Sequence, residues 1–238
     1  MTPSSSILRE AVAHLYSGGA DSSLAACRLA RTFPKVHLNT FSRFGFLNLD
    51  FAQAHMERAR QRFPSVTFVH QTIGMDAFYE EVESHGFYKS LARHGWLVLN
   101  TCGHCKVAMH WRNLIFCLDH GVRYASDGAV RGAEEFAEQN PRILMGLLED
   151  FYRRFGVTLL RPSYEEGLST ERELFALGVA TREKIKGTEH DMQVTCTQHL
   201  QFAMMMRIYL RGHSFGQYET AAKAYLADPS YSWNSGIF

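Results

Sequence analysis

AVAHLYSGGADSS, residues 11–23, is the stretch that decides how the rest of the chain is read. A short apolar run from Ala11 to Tyr16 stops at Ser17-Gly18-Gly19. Asp21, Ser22 and Ser23 then open a helical pattern with Leu24, Cys27 and Leu29 on one side. Strand, glycine turn and helix N-terminus, in that order, make a place for an anion. Two glycines let backbone amides approach it without Cβ atoms in the way. The helix behind them offers unpaired N–H groups and the positive end of its dipole. Ser17, Ser22 and Ser23 add hydroxyl donors. No lysine stands where a Walker A loop needs one, and the glycine spacing does not fit the dinucleotide fingerprint. The stretch reads as a phosphate loop of another kind, with a serine-rich helix cap as the plain alternative.

Outward from this loop, five apolar, β-branched runs alternate with helical patterns, the sequence form of a parallel sheet covered on both faces. The expected strands are Ala11 to Tyr16, Lys35 to Phe41, Ser65 to Gln71, Val122 to Ser126 and Val157 to Arg161. Helices are expected from Asp21 to Arg31, Asp50 to Arg62, Cys102 to His120 and Arg142 to Phe155, with broken helices between Met75 and Leu99. After Pro162 come a short helix from Ser169 to Leu177, an irregular polar stretch to Thr195, and two helices, Thr197 to Tyr209 and Gln217 to Ala227. The expected fold is α/β and Rossmann-like, with a five-stranded parallel sheet. Residues 1–162 form the nucleotide-binding domain and 163–238 a helical extension that carries Cys196.

Ligands of open α/β sheets gather at the carboxyl ends of the strands. That rule puts Ser17 to Ser23, Thr40 to Phe44, Thr72 to Met75 and Asp127 to Arg131 on one rim.

The chain has 238 residues, 46% hydrophobic and 21% charged, which is ordinary for a globular protein. Its net charge of +1 announces no general nucleic-acid surface. No apolar stretch approaches the ~18 residues of a membrane span. MTPSSSILRE has no apolar signal core, so a cytoplasmic protein is expected. Five cysteines, two of them in Cys102-Gly103-His104-Cys105, favour metal or redox use over a disulfide framework. Alone, the pair does not choose between a metal, a redox disulfide and chance. Cys27 and Cys117 fall on apolar helix faces and read as core.

Ser17 to Ser23, SGGADSS, resembles the S-G-G-x-D-S-S/T signature of the PP-loop, or N-type ATP pyrophosphatase, superfamily. The resemblance implies a protein that binds ATP with Mg²⁺, attacks the α-phosphate and releases pyrophosphate. Ser17, Gly18, Gly19, Asp21, Ser22, Ser23, Thr40 and Arg131 would then hold the nucleotide. Ser17, Asp21 and Asp127 would serve catalysis, with Asp127 positioning Mg²⁺ or polarising a substrate group. Ser126-Asp127-Gly128 matches the family's motif after the fourth strand only loosely.

The C-x-x-C before the fourth strand and the lone Cys196 after the fifth resemble one branch, the cluster-dependent tRNA thiolation enzymes. That resemblance implies Cys102, Cys105 and Cys196 as ligands of a 4Fe-4S cluster, with zinc as the alternative metal. It also implies a sulfur donor and a tRNA base or small molecule as acceptor, and allows a homodimer. The zinc-ribbon cysteines and basic face common in that branch are missing. Arg58, Arg60 and Arg62, or Arg153, Arg154 and Arg161, would supply a local RNA contact or simply face water. His104, His190 and His199 are further ligand candidates or ordinary side chains. Lys106 lies near the nucleotide by position, and Met204 to Met206 read as helix core. The rival functions are an ATP-dependent synthetase with a nitrogen nucleophile and a non-catalytic nucleotide-binding protein.

Overall fold

Val12–Leu15 (β1) is buried at all four residues and lies at the centre of the sheet. A strand covered on both faces needs apolar residues on both, which is why this run does not alternate with polar ones. Val12 packs into one core cluster and Ala13 and Leu15 into the other, the period-two division expected of a strand. The computed structural model describes residues 11–84, 87–95, 101–132, 134, 136–165, 169–183, 194–197 and 199–228.

Around β1 the sheet runs in the order β4-β2-β1-β5-β6, with β2 at Lys35–Ser42, β4 at Thr67–Gly74, β5 at Tyr124–Ser126 and β6 at Thr158–Leu160. Every neighbouring pair is parallel, as the alternating pattern predicts. The chain winds outward through β2 and β4, then crosses back to add β5 on the other side of β1. The strand order therefore reverses between β1 and β5, where α/β sheets open a ligand crevice.

One face of the sheet is covered by α1 (Ala20–Leu29), α2 (Gln53–Arg62) and α7 (Thr170–Ala176), with α1 packed on both of the others. The other carries α5 (Thr101–Asp119) and α6 (Gly146–Arg154). Between β4 and α5 lie α3 (Asp76–Ser84) and α4 (Phe87–His94), the broken helices expected there; Gly86 is outside the described residues. Then α8 (His199–Tyr209) and α9 (Phe215–Leu226) complete the described chain. Tyr218, Ala222, Tyr225 and Leu226 bury α9 in the same core as α5.

Several details differ from the sequence expectation. The helix expected from Cys102 to His120 begins one residue earlier, at Thr101, and carries Cys102 and Cys105 near its N-terminus. Arg142 to Phe155 is not uniform helix, because a π-helical turn at Pro141–Met145 precedes α6. Phe46–Leu47 (β3) pairs antiparallel with Thr195–Cys196 (β7), setting Phe46 opposite Cys196. That small ladder falls where loop was expected. The three methionines are not all core: Met206 is 7% exposed and Met204 56%. Cys27 and Cys117 are fully buried, as read. Among the described residues, no helix is long and apolar enough to cross a membrane.

Candidate active site

The loop after β1 keeps its shape by its own hydrogen bonds. Gly18 has φ +76°, and a Cβ there would lie 2.4 Å from Ala52 Cα. Only glycine allows both the conformation and the contact. Gly19 is extended and caps α1. Ser22 Oγ donates to the Gly19 carbonyl at 3.1 Å and accepts from Ser17 N at 3.3 Å, while the Ser17 and Ser22 hydroxyls lie 3.0 Å apart. Ser17 Oγ accepts in turn from Gly19 N at 3.4 Å. Ser23 is behind this ring, its hydroxyl directed to the Gly18 carbonyl at 3.4 Å and to Tyr16 Oη at 3.3 Å.

Two buried histidines that the sequence reading passed over support the loop from beneath. His55 Nδ1 donates to the Gly18 carbonyl at 2.8 Å. His14 Nε2 donates to the Ser22 carbonyl at 2.9 Å, which leaves Nδ1 to accept from Ser126 Oγ at 3.2 Å. Burial lowers the His14 pKa to about 4, so the ring is neutral at pH 7 with the proton on Nε2. It thereby ties the start of α1 to the end of β5. Gly128 completes the join, because a Cβ there would stand 2.8 Å from Ser22 Cα.

A cavity of about 340 Å³ opens in front of the loop, within the range of small-molecule sites. Ser17, Asp21 and Ser22 line one end; Thr40 and Phe41 come from β2, Lys106 and Met109 from α5, and Phe46 and Cys196 from the β3–β7 ladder. Thr40 donates to the Tyr16 carbonyl at 2.8 Å and therefore accepts from His70 Nε2, also at 2.8 Å. The segment bearing Cys196 is tied to the loop directly, since Val194 N donates to the Ser17 carbonyl at 3.1 Å.

Asp127 and Arg131 do not line this cavity. Asp127 is 1% exposed, and its Oδ2 faces His110 Nε2 at 3.3 Å, Lys106 Nζ at 3.5 Å and Arg161 Nε at 3.5 Å. Its Oδ1 accepts from Ala129 N at 3.0 Å. Burial opposes ionisation, yet Lys106, His110 and Arg161 together hold the carboxyl well below the usual range. Lys106 reaches both the carboxylate and the cavity. Arg131 instead lies over the Tyr164 ring, 5.5 Å from its centroid.

Cys102, Cys105 and Cys196 are close enough to act on one another electrostatically. Burial raises the Cys102 thiol pKa, with Glu138 and the two other sulfurs adding to it. Cys105 is pushed up to about 11 by burial, against the pull of Arg43. Among the described residues, no three His, Cys, Asp or Glu side chains form a shell around a single metal ion.

His104 is not exposed. It is buried between Glu83, 2.9 Å from Nδ1, and the Tyr225 ring, stacked at 5.1 Å. His190 lies outside the described residues, as does the side chain of His199.

Five of the six arginines named for RNA face partners of their own. Arg58 donates to the Val179 carbonyl at 3.0 Å, Arg60 pairs with Glu57 at 2.5 Å and Arg62 lies over the Phe63 ring at 5.7 Å. Arg153 pairs with Asp150, and Arg161 with Glu149 as well as Asp127.

No profile of a known protein family matches the chain, and no curated protein matches it by sequence. Among solved structures, it is similar to a predicted subunit of tRNA methyltransferase from Methanocaldococcus jannaschii, at 20% identity over 70% of this chain and 75% of that one, TM-score 0.43. It is also similar to the U34-tRNA thiolase of Methanococcus maripaludis solved with its 4Fe-4S cluster, at 12% identity over 96% of this chain and 71% of that one, TM-score 0.47. The NMN synthetase of Francisella tularensis is similar at 13% identity over 96% and 87% of the two chains, TM-score 0.41.

Proposed function

We propose that this chain is an ATP-dependent adenylating enzyme of the PP-loop type, and that it transfers sulfur to the adenylated acceptor. The observation that carries this reading is the cavity: Ser17, Asp21 and Ser22 of the loop and Cys196 of the β3–β7 ladder line it together. A nucleotide seated on the loop would share the cavity with Cys196.

The amides of Gly18, Gly19 and Asp21 would hold the β- and γ-phosphates at the N-terminus of α1, where backbone N–H groups and the helix dipole favour negative charge. The Ser17 and Ser22 hydroxyls, fixed within the loop, keep those amides in place. Lys106 would add one cation from α5. Asp21, in the first turn of α1 and lining the cavity, repels bare phosphate, so Mg²⁺ belongs between them. A carbonyl or amide oxygen of the acceptor attacks the α-phosphorus, the bond to pyrophosphate breaks, and the loop amides spread the charge developing there, with Asp21 placed to hold the Mg²⁺ that would share it. A sulfide then attacks the adenylated carbon, and AMP leaves with the oxygen. A 4Fe-4S cluster on Cys102, Cys105 and Cys196 would supply an open iron position for that sulfide. The rest is positioning of reactants rather than strong acid–base chemistry. The acceptor is a tRNA base or a small molecule.

Two tests address the two halves of this proposal. With α-labelled ATP and Mg²⁺, turnover should yield AMP and pyrophosphate, and Asp21→Asn should lower it by at least tenfold while the fold melts as before. ADP as the nucleotide product would remove the adenylation reading. Anaerobic iron analysis tests the other half: Cys196→Ala should retain less than a third of the parent's iron, as should Cys102→Ala. A synthetase with a nitrogen nucleophile shares the loop but not this iron; ATP binding without pyrophosphate release would favour a non-catalytic protein.

A further inference from the structure

The two edges of the sheet are finished differently. At one end of the strand order, β6 has three residues and runs straight into Arg161-Pro162. A short strand closed by a charge and a residue without an N–H is a protected edge. At the other end, β4 has eight residues, TFVHQTIG. No Lys, Arg, Asp or Glu falls between Phe63 and Met75, and no proline interrupts the strand. Its register with β2 is continuous along all eight residues, so no bulge turns the edge away. Burial and the nearby Arg60 hold His70 below its usual pKa, so it too is neutral at pH 7.

Hydrogen bonds identify the open groups on this edge. Thr67 N donates to the Pro34 carbonyl and Met75 N to the Ser42 carbonyl, both at 2.9 Å. In a parallel ladder one residue turns both backbone groups toward its partner strand and the next turns both away. The odd-numbered residues of β4 therefore face β2, and Phe68, His70, Thr72 and Gly74 face outward. Arg60 meets the Phe68 carbonyl at 3.0 Å. The outward N–H and C=O groups of His70, Thr72 and Gly74 have no partner among the described residues. Thr72 and Gly74 are exposed, and nothing lies within 4 Å of where a Gly74 Cβ would stand. Phe44, 91% exposed, is fixed at the same corner, its N–H donating to Asp76 Oδ1 at 2.8 Å just past the end of β4.

We propose that β4 is a dimerisation edge, pairing antiparallel with β4 of a second copy of this chain about a two-fold axis at Thr72. That axis sets Thr72 of one copy opposite Thr72 of the other, and His70 opposite Gly74. Each such pair exchanges both backbone bonds, so every open group on the edge finds its complement. A second copy is the partner that the composition favours. An isologous contact sets a strand against itself, so a charged edge would repel its own copy and this uncharged one does not. The Phe44 ring stands at the end of the joined ladder and adds apolar area to it. The two sheets become one, and because the paired strands run oppositely, the two cavities open at opposite ends of it. None of this depends on the chemistry proposed above.

Sedimentation equilibrium of the full chain at micromolar concentration tests this, with T72K, T72P and T72V beside it. The parent should sediment at twice its chain mass of 27.1 kDa. T72K sets two ammonium groups against each other at the axis, and T72P removes an outward N–H without touching the bonds to β2. Each should weaken the dimer at least a hundredfold while far-ultraviolet circular dichroism stays that of the parent. T72V keeps the backbone and the shape and should remain dimeric. Hydrogen exchange gives a second reading: the His70, Thr72 and Gly74 amides should be protected in the dimer and exchange at least tenfold faster in T72K. If T72P does not fold, T72K, whose new side chain starts from an exposed position, is the deciding variant. A monomeric parent would overturn the proposal, as would a dimer that survives unweakened in T72K. Protection of those amides in a monomer would mean that another part of the chain covers the edge, and would overturn it as well.

Discussion

Gly18→Ala should abolish useful ATP binding, weakening it at least a hundredfold, about 2.8 kcal/mol, in a direct titration. Two penalties fall on the same residue. The backbone at φ +76° is the left-handed region that costs a side chain of ordinary handedness about 1–2 kcal/mol. The added Cβ would also sit 2.4 Å from Ala52 Cα, a backbone atom that is itself fully buried. Relief requires Gly18 to move away from the start of α2, and with it the carbonyl that His55 holds at 2.8 Å. The amides meant for phosphate turn with it. The sheet beneath is untouched, so far-ultraviolet circular dichroism should remain that of the parent. Near-parent ATP affinity in Gly18→Ala would show that the nucleotide does not rest on this loop.

Asp127→Ala should cost the fold about 3–5 kcal/mol in denaturant unfolding, the range for removing one partner of a buried charge group. Lys106 and Arg161 would then share a buried space with no carboxylate between them. The acid limb carries a signature. Asp127 has a folded pKa far below the unfolded value of about 3.9. Its stabilisation is therefore complete above about pH 4 and lost as pH falls through the lower, folded value. Parent and variant should differ fully near neutral pH and converge under strong acid. The parent also has an earlier slope: His14 and His110 are held at about 4 by burial, below the unfolded 6.5, so the unfolded chain takes up their protons first. Stability should begin to fall as pH drops below about 6.5. A variant as stable as the parent at pH 7 would mean that Asp127 is not the anion this cluster is built around.

The sheet was legible because its signals are local. Each long strand is an apolar run cut by glycine or proline, and the glycine loop announces its own geometry. Gly156 and Gly178, just past the expected ends of two helices, adopt φ +71° and +75°. The β3–β7 ladder was not legible, since two residues on each side carry no periodicity and their partners are distant in sequence. Nor could the sequence show that His14 and His55 support the loop. A histidine within an apolar run looks like any core residue until the carbonyl it serves is located. Asp127 illustrates the limit most clearly. Its position after β5 suggested a metal or substrate contact, but Lys106 and His110 from one helix and Arg161 from the end of another strand surround it.

The central claim is that the triphosphate lies along the loop with its α-phosphorus turned toward Cys196. A crystal structure of the protein with Mg²⁺ and an α,β-methylene analogue of ATP tests it most directly. The account predicts β- and γ-phosphates on the amides of Gly18, Gly19 and Asp21, with the α-phosphate in the cavity that Lys106 and Cys196 line. A triphosphate bound elsewhere, or one whose γ-phosphate points into that cavity, would contradict it.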